Sequence, residues 1–325
     1  MRRREFMTLL GGATAIWPLP ALAQQSSGKV WRVAWLSPVF ADTLVDREII
    51  DAFRSEMRSL GYVEGKNLVV DSRFGEGHIE RLPSLTSELI ALHPDVIVAI
   101  ATPAIAAAQR ATSTIPIVMA PATDPIGSGF VKSLAHPGGN ISGVANMYGD
   151  AIGKSVELLH TILPAAKRIA VLMSTNPTHP QQYALVEAAA KALDLMVIAI
   201  MAETPADLPQ AFKKMGRENC DALFVLADPI RPTIPTLATE AKIPAIYQYT
   251  GWVDLGGLAS YGASTTPMFR KAAQYVDKIF KGANPAELPV EQPVAFELAL
   301  NLKTAAALGL SIPDAVVARA DKVIE

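Results

Sequence analysis

One cysteine, Cys220, stands in a chain of 325 residues. An intrachain disulfide is therefore impossible, and so is a metal site built on several thiolates. Aromatic residues are scarce at 6%, and the apolar half of the chain rests on Ala, Val, Leu and Ile. Neither charge is in large excess: 29 Lys and Arg face 31 Asp and Glu. Such a mildly acidic balance argues against a nucleic-acid partner. Beyond the first residues, no apolar segment free of charges and prolines approaches the roughly 20 residues that a membrane-spanning helix needs.

Catalytic signatures are missing too. The five histidines, His78, His93, His136, His160 and His179, show neither HxH nor HExxH spacing, so no metal site is expected. There is no GxSxG nucleophile elbow. GxGxxG and the phosphate-binding GxxxxGKS or GxxxxGKT are absent, and no cofactor is expected. "FGEGH" has Gly75 and Gly77, but Glu80 stands where a third glycine would be. It reads as a turn, and "HPGGN" (136–140) as a tight connection.

What is present begins with a leader. "MRRREF" is a basic start, "FMTLLGGATAIW" a short apolar run, and "ALA" at 21–23 a small-residue cleavage site. Together they form a secretory signal peptide over 1–23, cleaved after Ala23. Arg3-Arg4-Glu5-Phe6-Met7 has the look of a twin-arginine export signal. The leader carries three arginines and one glutamate, so the mature chain has a net charge of −4 against −2 for the whole. A soluble periplasmic product is expected.

From Lys29 on, strands alternate with helices. "VWRVAWLS" reads as a strand, 45–60 as a helix striped by Ile49, Phe53, Met57 and Leu60, and Gly61 as its stop. "NLVVDSRF", a helix with Leu82, Leu85, Leu89 and Leu92 on one face, the strand Val96–Ile100, a helix at 103–112 and "IPIVMA" follow. A second set has helices at 152–163, 180–193, 205–215 and 230–241 between "RIAVLMS", "LMVIAI", "DALFVLA" and "IPAIYQY". Such alternation predicts parallel sheets with helices on both faces, here in two α/β lobes. The tail adds the strand "GLASYG", a helix at 265–281, an extended stretch and a helix at 301–308; the pattern leaves open which lobe takes it.

Ligands bind at the carboxyl ends of strands in open α/β sheets. Those ends are Ser37-Pro38, Gly75-Glu76, Thr102-Pro103-Ala104, Thr123-Asp124-Pro125, Ser174-Thr175-Asn176, Asp228-Pro229 and Tyr247–Tyr249. None is an acid–base pair; together they make a binding cleft. In "IATPA" Pro103 pre-organises a helix start. No acidic residue neutralises that first turn, so Thr102, Ala104 and the helix N-terminus suit a carboxylate or phosphate. In "LADPI" Asp228 either caps its own helix or faces the cleft and pairs with an ammonium. Ser37 and Asp124 would add polar side contacts.

The leader, "GYVEGKNLVVDSRFGEG", "RLPSLTSELIALHPDVIVAIATPAIAAAQRAT", "IPIVMAPATDPIGSGFVKSLAHPGGNISGV", "KSVELLHTILP" and "LPVEQPVAFELALNLKTAAALGLSIP" resemble the periplasmic substrate-binding proteins of ABC transporters. The resemblance is to the branch with tryptophan- and tyrosine-binding members, and it runs through essentially the whole mature chain. It implies the type I periplasmic-binding fold: two Rossmann-like lobes joined by three hinge crossovers. The N-terminal lobe would be 29–146 with 264–282, and the C-terminal lobe 147–263 with 286–325. Ligand would contact Thr102, Pro103, Ala104, Thr123, Asp124 and Asp228. Asn146, Met147 and Tyr148 would sit at the first crossover, and Tyr247 and Tyr261 would either wall the cleft or pack within their lobe. Ligand choice would be written in "PVFADT" (38–43) and "STNPTHP" (174–180). The expected role is a non-enzymatic, monomeric import receptor for a small polar ligand, such as an amino acid or related carboxylate, working with an ABC permease and its ATPase at the inner membrane. A receptor feeding a sensor system is the alternative reading, and an exported enzyme the third.

Overall fold

Fully apolar four-residue runs such as Val96–Ala99, every residue of which is buried, form strands covered on both faces. The computed structural model describes residues 28–41, 44–227, 232–293 and 295–325. Its first sheet contains β1 (Trp31–Ser37), β2 (Leu68–Phe74), β3 (Val96–Ala99), β4 (Ile117–Ala122) and β5 (Ile141–Ala145). The helices between them are α1 (Leu44–Ser59), α2 (Leu82–Ala91) and α3 (Ala101–Ala111). All pairings are parallel, in the order β2-β1-β3-β4-β5.

A second sheet follows α4 (Tyr148–Ile162). It is built from β6 (Arg168–Met173), β7 (Met196–Met201), β8 (Ala222–Val225), β9 (Ala245–Tyr247), β10 (Ala259–Ala263), β11 (Phe296–Asn301) and β12 (Lys322–Ile324). Its order is β12-β11-β10-β9-β8-β6-β7, with β10 and β11 antiparallel. The helices of this part are α5 (His179–Lys191), α6 (Leu208–Arg217), α7 (Ile234–Glu240), α8 (Gly251–Asp254), α10 (Leu302–Ala307) and α11 (Asp314–Val317), while α9 (Thr265–Phe280) lies between β10 and β11 in sequence.

Alternation along β1 builds two cores on the first sheet. Val33 and Trp35 point to α1 and α9, where they meet Phe53, Phe269 and Val276. Ala34 and Leu36 point to α2 and α3, where they meet Leu85, Leu89 and Ile105. So α9, although it follows the strands of the second sheet, completes the core of the first. The chain passes between the sheets at 146–147, at Ser264 and again before β11. On this last passage Glu291 pairs with Val144 at the edge of β5.

Several boundaries differ from the sequence pattern: α4 begins at Tyr148 rather than 152, α7 spans Ile234–Glu240 rather than 230–241, and two further cases have a local cause. The helix expected from Pro103 starts at Ala101, which adopts a left-handed φ of 61°. Pro103 is its third residue, still within the first turn, where the missing N–H costs nothing. The helix expected over 205–215 is a single 3-10 turn, Pro205–Asp207, followed by α6 from Leu208.

Candidate functional site

Each sheet reverses its winding direction once, between β1 and β3 in the first and between β6 and β8 in the second. A crevice opens at the carboxyl ends of strands at such a point. The two crevices face each other and share one cavity of about 70 Å³. The first sheet's side supplies Val39, Ile100, Ala101, Thr102, Pro121 and Thr123, with Ile49 from α1 and Thr265 and Phe269 from α9. The crossover supplies Asn146 and Tyr148, and the second sheet supplies Asn176, Ala227 and Tyr249. None of these described wall residues is charged.

The polar atoms of the wall are mostly donors. Asn146 donates through Nδ2 to the Thr123 hydroxyl at 2.8 Å and accepts from the Tyr148 N–H at 3.2 Å. The Thr123 N–H in turn reaches the Thr102 hydroxyl at 3.4 Å. Both hydroxyls thus serve as acceptors within the protein and keep their own protons for a ligand. Burial raises the phenols of Tyr148 and Tyr249 above the usual tyrosine range, so both remain protonated donors. Neither α3 nor α9 has a side-chain cap or an acidic residue in its first turn. Their free N–H groups and dipoles add positive potential.

Backbone strain collects here. Ala101, Asp124 and Met147, at the carboxyl ends of β3, β4 and β5, all have positive φ, at 61°, 45° and 53°. Non-glycine residues in this region cost on the order of 1–3 kcal/mol each, and such strain clusters at functional sites.

Of the residues singled out from sequence, Thr102, Thr123 and Asn146 line the cavity. Ser37 is wholly buried at the end of β1, where its hydroxyl accepts from the Val39 N–H. Ala104 packs into the core under α3, and Pro103 lies outside the wall. Asp124 accepts from the Gly127 N–H at 2.9 Å and caps its own turn. It borders an adjoining crevice with Met147 and Gln182. Tyr247 is in the core against Trp252, and Tyr261 packs at a tilt against Phe296, away from the cavity. Both lie within strands, whose side chains point to the sheet faces. Asp228 and the leader fall outside the described residues.

The aromatics that do reach the cavity lie just beyond strand ends. Tyr148 opens α4 after the crossover. Tyr249 folds over Gly251, where an added Cβ would lie 2.5 Å from its ring. The sequence signal was the glycine two residues after a tyrosine at a strand's carboxyl end. Two buried side chains hold the second sheet's wall. Gln248 accepts from the Ala227 N–H at 2.7 Å and donates to the Tyr148 carbonyl at 3.4 Å. His179 accepts from the Ser174 N–H on Nδ1 at 2.8 Å, and its Nε2 lies 3.3 Å from the Ala227 carbonyl. The backbone donor at Nδ1 makes Nε2 the protonated nitrogen.

Two doubly wound lobes, with a cavity between their facing switch points, define a two-lobe ligand-binding protein of the type I periplasmic-binding architecture. The family model for ABC transporter substrate binding proteins matches residues 33–324, and the chain belongs to that family. It is 31% identical over 263 residues to a tyrosine-binding protein of Clostridioides difficile, covering 79% of this chain and 75% of the relative. A Streptococcus pneumonia ABC domain in complex with L-Trp matches at 28% identity and a TM-score of 0.82, covering 90% of this chain and 99% of that one. The ligand-free, open structure of a Clostridium difficile substrate-binding protein with adhesive properties matches at 26% identity and a TM-score of 0.62, covering 91% and 99%. Members of this family bind small ligands and deliver them to a permease, a non-enzymatic role exercised outside the cytoplasm. Among the described residues, no helix is long and apolar enough to cross a membrane.

Proposed function

We propose that this protein is the periplasmic receptor of an ABC import system, and that it closes on an amino acid or a related carboxylate between its lobes. The observation that carries this reading is the cavity wall: both lobes contribute, and its polar groups are neutral donors beside two uncapped helix ends. That wall suits an anionic group. The relatives named for tyrosine and in complex with L-Trp favour an amino acid as ligand. Identity to the L-Trp complex and to the open structure is nearly equal, yet the match to the complex is much the better. On this reading the gap reflects lobe arrangement, and the conformation described is the closed one.

On this reading the lobes are 29–146 with 264–282 and 147–263 with 286–325. The leader is removed after Ala23, and the mature protein works as a monomer that presents its closed form to a permease and its ATPase at the inner membrane. The test is a thermal-shift screen of residues 24–325 against amino acids and short carboxylates. A ligand at 100 times its dissociation constant adds about 2.7 kcal/mol. A clear shift with an amino acid is expected, along with compaction in small-angle scattering. No shift with any of them would remove this ligand class, and identical scattering with and without a stabilising ligand would remove the closing cleft.

A further inference from the structure

The stretch "STNPTHP" carries no known motif, yet its hydrogen bonds settle the orientation of one wall residue. The Thr178 N–H and O–H both point to Oδ1 of Asn176, at 3.1 and 3.0 Å. A backbone N–H can only donate, so the atom facing it is the amide oxygen. The Thr178 hydroxyl, its proton used on Asn176, accepts from Nε2 of Gln182 at 2.9 Å. The loop is anchored at its other end as well: the Asn176 N–H reaches the Ser174 hydroxyl at 3.2 Å, and the Ser174 N–H reaches His179. Asn176 is 6% exposed and lines the cavity. Its oxygen is used twice within the loop, so the hydrogen-bonding capacity left for a ligand is the NH2 group.

We propose that Asn176 is a specificity-determining residue of the second lobe: its amide NH2 donates to the carboxylate of the bound molecule, opposite the Thr102 and Thr123 hydroxyls of the first lobe. Donors from two lobes on one anion make closure and recognition the same event. They also account for an anion site with no basic residue among the described wall positions. The inference rests on the cavity being the ligand site and names the ligand group that the second lobe reads.

Asn176→Asp tests it. Aspartate keeps the oxygen that holds Thr178, so the loop is retained, and it replaces only the NH2. Full mature protein and the variant are titrated calorimetrically with L-tyrosine, L-tryptophan and L-leucine, and with tyramine, tryptamine and isoamylamine, which lack the carboxyl group. The wild type should bind at least one amino acid and prefer it to its amine. In Asn176→Asp, affinity for the amino acid should fall at least about tenfold, the worth of a charged hydrogen bond, and the preference over the amine should collapse. An unchanged preference, with wild-type binding intact, overturns the role of Asn176 alone. Failure of the wild type to bind any of the six overturns the amino-acid reading and this assignment with it.

Discussion

The phenol of Tyr62 donates to Oδ1 of Asp277 at 3.0 Å and joins the loop after α1 to α9 across 215 positions of the chain. Asp277, 8% exposed, also holds Lys281 at 2.9 Å. Burial first, then the bond and the charge of Asp277, push the Tyr62 hydroxyl up to about 12. In the unfolded chain tyrosine ionises near 10. The folded state therefore keeps a proton that the unfolded state releases, and the associated stability is complete below pH about 10 and lost as pH rises through about 12. Tyr62→Phe should cost about 1 kcal/mol at neutral pH and flatten the alkaline decline. Denaturant midpoints measured from pH 8 to pH 12 check this, and a slope equal to the wild type's would sink it.

Gly262 marks the closest backbone approach at the hinge. A Cβ there would sit 1.8 Å from the Gln248 carbonyl oxygen and 3.3 Å from the Tyr148 ring. Gly262→Ala must force β9 and β10 apart, at a cost of about 1–3 kcal/mol. It should also weaken ligand binding, because Gln248 holds Ala227 in the wall. A variant with wild-type melting temperature and affinity would show that the strands part freely.

Gln248 is 1% exposed and serves as acceptor for one wall segment and donor to the other. Gln248→Leu leaves the Ala227 N–H without its partner and removes one bond from the Tyr148 carbonyl, which keeps its helical bond within α4. An unsatisfied buried group costs about 1–3 kcal/mol, so stability should drop by at least that amount. Chemical denaturation gives the figure directly; a loss under about 0.5 kcal/mol would mean that water replaces the amide.

The strands and most helices were legible in the sequence, because a strand covered on both faces is a continuous apolar run and a helix carries a stripe. The start of α3 was not, since residue type does not announce that Ala101 takes a positive φ. Nor did the pattern alone show the destination of the tail, which only the resemblance assigned to the first lobe: the apolar face of α9 says that it is buried, not that Phe269 and Val276 bury it against β1. At the site, Thr102, Thr123 and Asn146 were readable as strand ends. Tyr247 and Tyr261 were attractive for their chemistry, but strand geometry turns them to the sheet faces. Asn176 stood among the strand ends, and only the hydrogen bonds of Thr178 and Gln182 give it a direction.

The cleft also has a contact at its mouth that does not touch the cavity. Gly77, with φ of +80°, follows β2 in the first lobe, and Pro205 follows β7 in the second. A Cβ on Gly77 would lie 3.1 Å from Cζ of Phe40 and 3.1 Å from Cγ of Pro205. Phe40 and Pro205 thus both lie against Gly77, and on the proposed closing cleft this apolar contact forms when the lobes come together. Phe40 is half-buried, and the share of that burial made against the second lobe is worth at most about 1.5 kcal/mol. Phe40→Ala should therefore weaken affinity by up to about tenfold by destabilising the closed state. Because closure follows the first encounter, the loss should fall on the dissociation rate and leave the association rate nearly unchanged. Gly77→Ala should act in the same direction, since a methyl group at that φ is strained and meets both neighbours. Stopped-flow measurements on the two variants separate the rates. An unchanged dissociation rate in both would mean that the mouth closes without help from this contact, and that the lobes are held by the ligand and the cavity wall alone.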